Sequence, residues 1–324
     1  MKSDVVSPFE DIRALLARLP QHDVAVAKAF RSQVAGDPGF DPDSELAELG
    51  GWLAACGGKM QPSIRKPLVA IFAGSHGVAA HGVSSRPVGD TQAAMDRFAA
   101  GQATINRLCQ ESDLGLKVFD LALDLPTADF TAAPALDEKA CAATMAFGME
   151  ALADGTDALC LGAFGVGGGV TASAILAALY GGSAADWAAP VNAAIDFRRA
   201  SVVEQGLVLH RDHLDDPLQV LRRLGGREFA AIAGAIVAAR FQATPVLLCG
   251  MAAFSAAALL HRTNPDAISH CRLAAPLAVT RANESASEIG LATVLGRSSG
   301  GQSRDPIDGA MALAMLKSAA TLAP

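Results

Sequence analysis

The chain has 324 residues, of which 51% are apolar and 18% charged, and a formal net charge of -7. That length and composition allow one large domain or two smaller ones with ample core, and exclude a disordered chain. The acidic balance argues against a broad nucleic-acid-binding surface, while a small anionic substrate needs only a local positive site.

The first stretch, MKSDVVSPFEDIRALL, is charged and carries no apolar core segment of the kind a secretory signal needs. Ser7-Pro8-Phe9-Glu10 has the spacing of a capping box with proline at the first helical position. It predicts a short helix running to about Arg18 and stopping before Pro20. Residues 35–43, AGDPGFDPD, read as a loop, after which Asp43 or Ser44 caps a helix that ends at Gly57-Gly58. The pattern then changes. LVAIFA (68–73), LKVFDLAL (116–123), ALCLGAF (158–164) and PVLLCG (245–250) are short apolar runs without polar alternation. Such runs suit strands buried on both faces of a parallel sheet. Helical patterns lie between them at 91–110, 137–153, 170–180, 192–210 and 228–241, with a short helix from Asp216-Pro217 to Gly225-Gly226. Asp305-Pro306 opens a last helix over 306–320. This alternation predicts a doubly wound α/β fold with right-handed crossovers.

The longest apolar run, 245–260, is shorter than the roughly 20 residues a bilayer span needs, and its proline start and internal glycine suit a strand followed by a helix. Six scattered cysteines with no C-x-x-C pair read as reduced core residues of a cytoplasmic protein.

In an open parallel sheet, ligands bind beyond the carboxyl ends of the strands. Three loops reach that edge: GSHGVAAHGVSSRP after the first strand, the glycine loop 162–169, and GMAA after the strand 245–250. In the glycine loop, Gly162, Gly165, Gly167, Gly168 and Gly169 let the backbone turn tightly, and a helix starting near Thr171 would aim its free N–H groups at an anion. No Lys and Ser/Thr pair follows, so this is not a P-loop. Val170 stands where a dinucleotide fingerprint needs its third small residue. A tight strand-to-helix turn with no ligand has the same residues. Ser75 and His76 sit where a strand ends, and the imidazole could meet an aromatic nitrogen heterocycle or simply satisfy loop carbonyls. His210-Arg211-Asp212-His213 with Asp215 and Asp216 has some look of a metal cluster, but reads better as a solvated helix end. The stretch from Leu295 to Arg304 is a basic Gly/Ser loop that either contacts an anion or links two helices.

KPLVAIFAGSHGV, HGVS, TQAAMDRFAAGQATIN, DLGLKVFDLALDLPT and CAATMAFGMEALADGTD, all within 66–160, resemble the nicotinate-nucleotide:5,6-dimethylbenzimidazole phosphoribosyltransferase family, and 213–240 continues the likeness. The resemblance implies a Rossmann-like, mostly parallel sheet with flanking helices (61–300), plus a small helical domain from both chain ends (1–60 with 301–324). It implies a dimer and transfer of phosphoribose from nicotinate mononucleotide to a benzimidazole nitrogen, releasing nicotinate, with no metal or cofactor. It places Ser75, His76 and Gln92 toward the base, and the glycine loop with Thr171 toward the phosphate. The chain also departs from the family pattern. The family's glycine loop GEMGIGNTT is GAFGVGGGV here, with Ala163 in place of Glu. The family's RLGEGTG, which carries the general base, corresponds to VLGRSSG, so Arg297 occupies the base position. A guanidinium stays charged and cannot take a proton near neutral pH. Two readings of the resemblance follow. One is an active transferase with a displaced base, Glu284 or Glu288. The other is a catalytically silent relative that binds a base or nucleotide, or that partners an active paralogue as a heterodimer. An unrelated dinucleotide-binding protein is the third reading of the glycine loop.

Overall fold

The computed structural model describes residues 7–21, 24–35, 41, 44–298 and 305–321. The first turns are three helices, α1 (Pro8–Leu16), α2 (Val24–Val34) and α3 (Glu45–Gly57). The sheet is then built from β1 (Pro67–Ala73), β2 (Gly115–Asp120), β3 (Ala158–Phe164), β4 (Val246–Leu248) and β5 (Cys271–Leu273). All its pairings are parallel and its order is β2-β1-β3-β4-β5. Between the strands run α4 (Asp90–Ala99), α5 (Thr104–Glu111), α6 (Glu138–Met149), α7 (Gly168–Tyr180), α8 (Ala193–His210), α9 (Pro217–Leu224) and α10 (Arg227–Phe241). After β4 come α11 (Gly250–Thr263), α12 (Thr280–Glu288) and α13 (Asp305–Ala320).

The absence of alternation in the strand sequences has its cause here. In β1, Leu68, Ala70 and Phe72 point into one core with α6, α7, α10 and α11, while Val69 and Ile71 point into a second core against α3, α5 and α13. β3 divides the same way, with Leu159 and Leu161 on one side and Ala158 and Cys160 on the other. A strand covered on both faces has no polar side to show. The C-terminal helix lies on the sheet itself, where Gly309 brings its backbone onto the thiols of Cys160 in β3 and Cys249 just after β4, which are 3.2 Å apart. Burial pushes the Cys56, Cys109 and Cys141 thiols up to about 12, so they stay protonated at neutral pH.

Several local expectations need correction. Ser7 precedes α1 but does not cap it; its hydroxyl turns to Glu138 of α6, while Glu10 pairs with Arg13 at 3.2 Å. Ser44 does cap α3, accepting the Ala47 N–H, and Gly58 ends that helix with φ of 61°. Asp43 and most of the 35–43 loop lie outside the described residues. The 91–110 pattern is two helices: Gly101 takes φ of 69°, and the Asn106 side chain accepts the Ala103 N–H to start α5. β2 stops at Asp120, whose carboxylate accepts the Leu123 N–H around Ala122 at φ of 56°. The sequence pattern did not point to α2, α12 or β5. Three residues, as in β5, are too few to display a period.

Helices α6 and α10 cross with their backbones in contact. A Cβ at Gly148 would sit 1.9 Å from the Ala231 carbonyl oxygen, and one at Gly234 would sit 1.9 Å from that of Met145. A methyl at Gly234 has to push the helices apart. Gly234→Ala is therefore expected to lower stability by roughly 1–3 kcal/mol, read as a reduced urea midpoint.

Candidate functional site

A cavity of about 390 Å³ opens at the carboxyl ends of β1, β3 and β4. Its size is within the range of small-ligand sites. The β1 loop lends Val83, Ser84 and Arg86, and α4 lends Thr91, Arg97 and Phe98. The glycine loop forms the back from Ala163 to Val170. Arg199 of α8, Glu228 of α10 and Met251 of α11 close other sides, with Pro306 and Ile307 of α13. Phe98 and Phe164 stand with ring centres 5.2 Å apart, giving one wall an aromatic lining.

Beneath the glycine loop lies a buried pair. His76 Nε2 is 2.5 Å from Glu228 Oε1, with both side chains at 2% exposure or less. His76 Nδ1 is 3.3 Å from the Thr171 hydroxyl. The imidazole thus bridges the carboxylate, to which Nε2–H donates, and the Thr171 hydroxyl at Nδ1. Glycines make room for this pair. A Cβ at Gly74 would lie 2.0 Å from Glu228 Oε2, and one at Gly226 would lie 2.5 Å from the imidazole. Gly167 has φ of 103°, and a Cβ there would press on His76. Two polar atoms here are buried without a partner, Glu228 Oε2 and Ser75 Oγ.

The rim is cationic. Arg86 pairs with Asp90 at 3.1 Å, and Arg97 stands further along α4. Arg199 is held from below, donating from Nε to the Val83 carbonyl at 2.8 Å and from a terminal nitrogen to that of Ala189. Burial lowers its pKa from the ordinary guanidinium value, with Asp196 acting the other way. A guanidinium stays charged at neutral pH even so.

The residues singled out from sequence fall into three groups. Gly165, Gly167, Gly168 and Gly169 line the cavity. Ser75, His76 and Thr171 are buried behind that lining, and Gly162 is inside β3 beneath Pro306. Gln92 is exposed and donates to Asp96, whereas its neighbour Thr91 faces the cavity and accepts the Val166 N–H. Arg297 is exposed and outside the lining, as are Glu284 and Glu288 on α12. Ser299 to Arg304 lie outside the described residues. Two residues that sequence reading gave no role, Arg199 and Glu228, line the cavity. Little in the sequence signalled Glu228, which follows Gly225-Gly226 and sits beside Arg227 in the first turn of α10.

The His210 segment is a structural corner. His210 is buried with Nε2 2.9 Å from the Phe130 carbonyl and Arg223 3.4 Å from Nδ1. Among the described residues no group of three or more His, Cys, Asp or Glu is placed to hold a metal. No helix among them is long and apolar enough to cross a membrane.

A family model described as Phosphoribosyltransferase (DBI_PRT) matches residues 43–323. The nicotinate-nucleotide–dimethylbenzimidazole phosphoribosyltransferase of Allorhizobium ampelinum is 53% identical over 270 residues, covering 82% of this chain and 78% of that protein. The protein of the same name from Rhizobium etli is 52% identical over 270 residues, covering 82% and 79%. The crystal structure of CobT from Thermus thermophilus superposes with a TM-score of 0.82 at 25% identity, over 93% of this chain and 95% of that one.

His210 gives a pH prediction with a definite sign. Burial lowers its pKa from the ordinary 6.5, and the Arg223 charge adds to this against the opposing Phe130 hydrogen bond. The unfolded chain then binds the proton at a higher pH than the folded one, so stability is complete above about pH 6.5 and falls as pH drops below it. In urea titrations from about pH 7.5 to about pH 5, wild type should lose stability more steeply below pH 6.5 than His210→Gln, with the two curves parallel above it.

Proposed function

The chain belongs to the phosphoribosyltransferase family whose model spans residues 43–323, and we propose that it transfers phosphoribose from nicotinate mononucleotide to 5,6-dimethylbenzimidazole. One observation carries this reading beyond the family likeness. A cationic rim, an aromatic-walled slot and a buried carboxylate share a single cavity at the carboxyl edge of the sheet. The three features answer the three parts of the reaction: a phosphate, a flat base and a proton.

The chemistry asks for little beyond placement. The nicotinate ring is already a cationic leaving group, so its glycosidic bond breaks with the electron pair returning to the ring nitrogen. The incoming benzimidazole nitrogen attacks the same carbon, and the N–H proton of the heterocycle must go to a base. Arg199, fixed by two carbonyls and close to the glycine loop, is suited to the phosphate, which guanidinium groups bind with strong charge-assisted hydrogen bonds. Phe98 and Phe164 offer faces against which a benzimidazole can pack. Holding both partners in register removes much of the entropic part of the barrier.

The silent-relative reading is not favoured. It rested on side chains lost from the site loops, with Arg297 at the family's base position, but close relatives carry the transferase name. The further proposals are a homodimer and action in the cytoplasm. Exposed Phe197, Val208 and Leu209 along α8 offer apolar surface to a second copy.

Purified protein given both substrates is expected to form α-ribazole phosphate and release nicotinate, followed by chromatography; no product at high enzyme concentration would refute the reading. Arg199→Ala should raise the KM for nicotinate mononucleotide about 10–100-fold, the equivalent of one charge-assisted hydrogen bond, with a smaller effect on the KM for the base.

A further inference from the structure

We propose that Glu228 is the catalytic carboxylate that takes the benzimidazole N–H proton, and that His76 is the residue that positions it. This rests on the phosphoribosyl-transfer reading above. Among the described residues that line the cavity, the carboxylates are Asp90 and Glu228. Asp90 lies toward the rim and is committed to Arg86. The acidic residues that the sequence offered as substitutes, Glu284 and Glu288, are exposed on α12 and do not line the cavity.

Glu228 has the features a base at this site needs. Its backbone is fixed in the first turn of α10, and its residue exposure is 1%. Oε1 is held by His76, which is itself anchored at Nδ1 by Thr171. Oε2 has no hydrogen-bond partner. A buried carboxylate oxygen without a donor is costly, and native structures rarely leave one unexplained. The N–H of a flat heterocycle is the donor that would complete it. The carboxylate also borders the glycine loop: a Cβ at Gly168 would stand 3.4 Å from Oε1.

The step balances without any further reactant. The benzimidazole N–H bond breaks and an O–H bond forms on Glu228. The ring's other nitrogen forms the new bond to the ribose carbon, and the bond from that carbon to nicotinate breaks with its electron pair leaving on nicotinate. His76 Nε2–H continues to donate to Oε1 before and after the transfer, so it holds the carboxyl plane without gaining or losing a proton.

Wild type and Glu228→Gln are to be compared with dimethylbenzimidazole and with a nitrobenzimidazole, whose N–H is more acidic. The expected result is a fall in kcat of about 10²–10⁴ for the variant with dimethylbenzimidazole, the usual loss on removing a general base. Calorimetric affinity for nicotinate mononucleotide should stay within about threefold, and the kcat deficit should shrink at least about tenfold with the nitro compound, as a Brønsted dependence requires. A purely structural role would impose the same deficit on both bases, and that result would overturn the assignment. So would a variant within about threefold of an active wild type, since base catalysis supplies far more than that. An inactive wild type would instead overturn the reaction reading, and this assignment with it. Should Glu228→Gln fail to fold, Glu228→Asp keeps the charge and withdraws it by one methylene. In that variant too, a deficit that shrinks with the nitro compound supports the assignment and an equal deficit on both bases overturns it.

Discussion

A single buried hydrogen bond between His76 and Glu228 ties together the three segments on which the site depends. His76 follows β1, Glu228 opens α10, and the glycine loop between β3 and α7 is draped over both. The pair is nearly free of solvent, where such bonds are strong and unpaired charge is expensive. Gly74, Gly167 and Gly226 have no side chain because the imidazole and carboxylate occupy that space. The glycine-rich character of the site therefore owes at least as much to what lies beneath the loop as to any ligand above it.

Taken alone, the loop looks like a phosphate cradle that has lost its side chains. In the fold, part of its hydrogen-bonding capacity goes to its own turn, since Gly168 donates to Gly165 and Val170 to Gly167. Val166 donates to Thr91, which fastens the loop to α4. The positive charge around the cavity comes from elsewhere, from arginines on α4 and α8 and in the β1 loop. The division of labour is that backbone sets the shape and distant side chains supply the field.

The sheet makes this convergence possible. Parallel strands deliver every outgoing loop to one edge, and the two apolar cores leave that edge as the place where polar groups can gather. The C-terminal helix contributes to the same end by lying across β1, β3 and β4, which carries Pro306 and Ile307 to the cavity.

Much of this was legible in the residues. Uninterrupted apolar runs located four of the strands, because burial on both faces erases alternation in β1, β3 and β4 while the edge strand β2 is only partly covered, and glycine at 162–169 marked the loop at the carboxyl edge. Motif likeness over 66–160 identified the family. The sequence could not decide which side chains face the cavity. Gln92 and Thr91 are adjacent, yet one points to solvent and the other to the site, a matter of helix phase within a segment that Gly101 also breaks. Arg297, expected at the base position, is exposed and outside the cavity lining, while Glu228 carried no motif and lines the cavity. Patterns along a chain report neighbours a few residues apart. His76 and Glu228 are separated by 152 positions, and only the packing of α10 against the carboxyl end of β1 brings them within hydrogen-bonding distance.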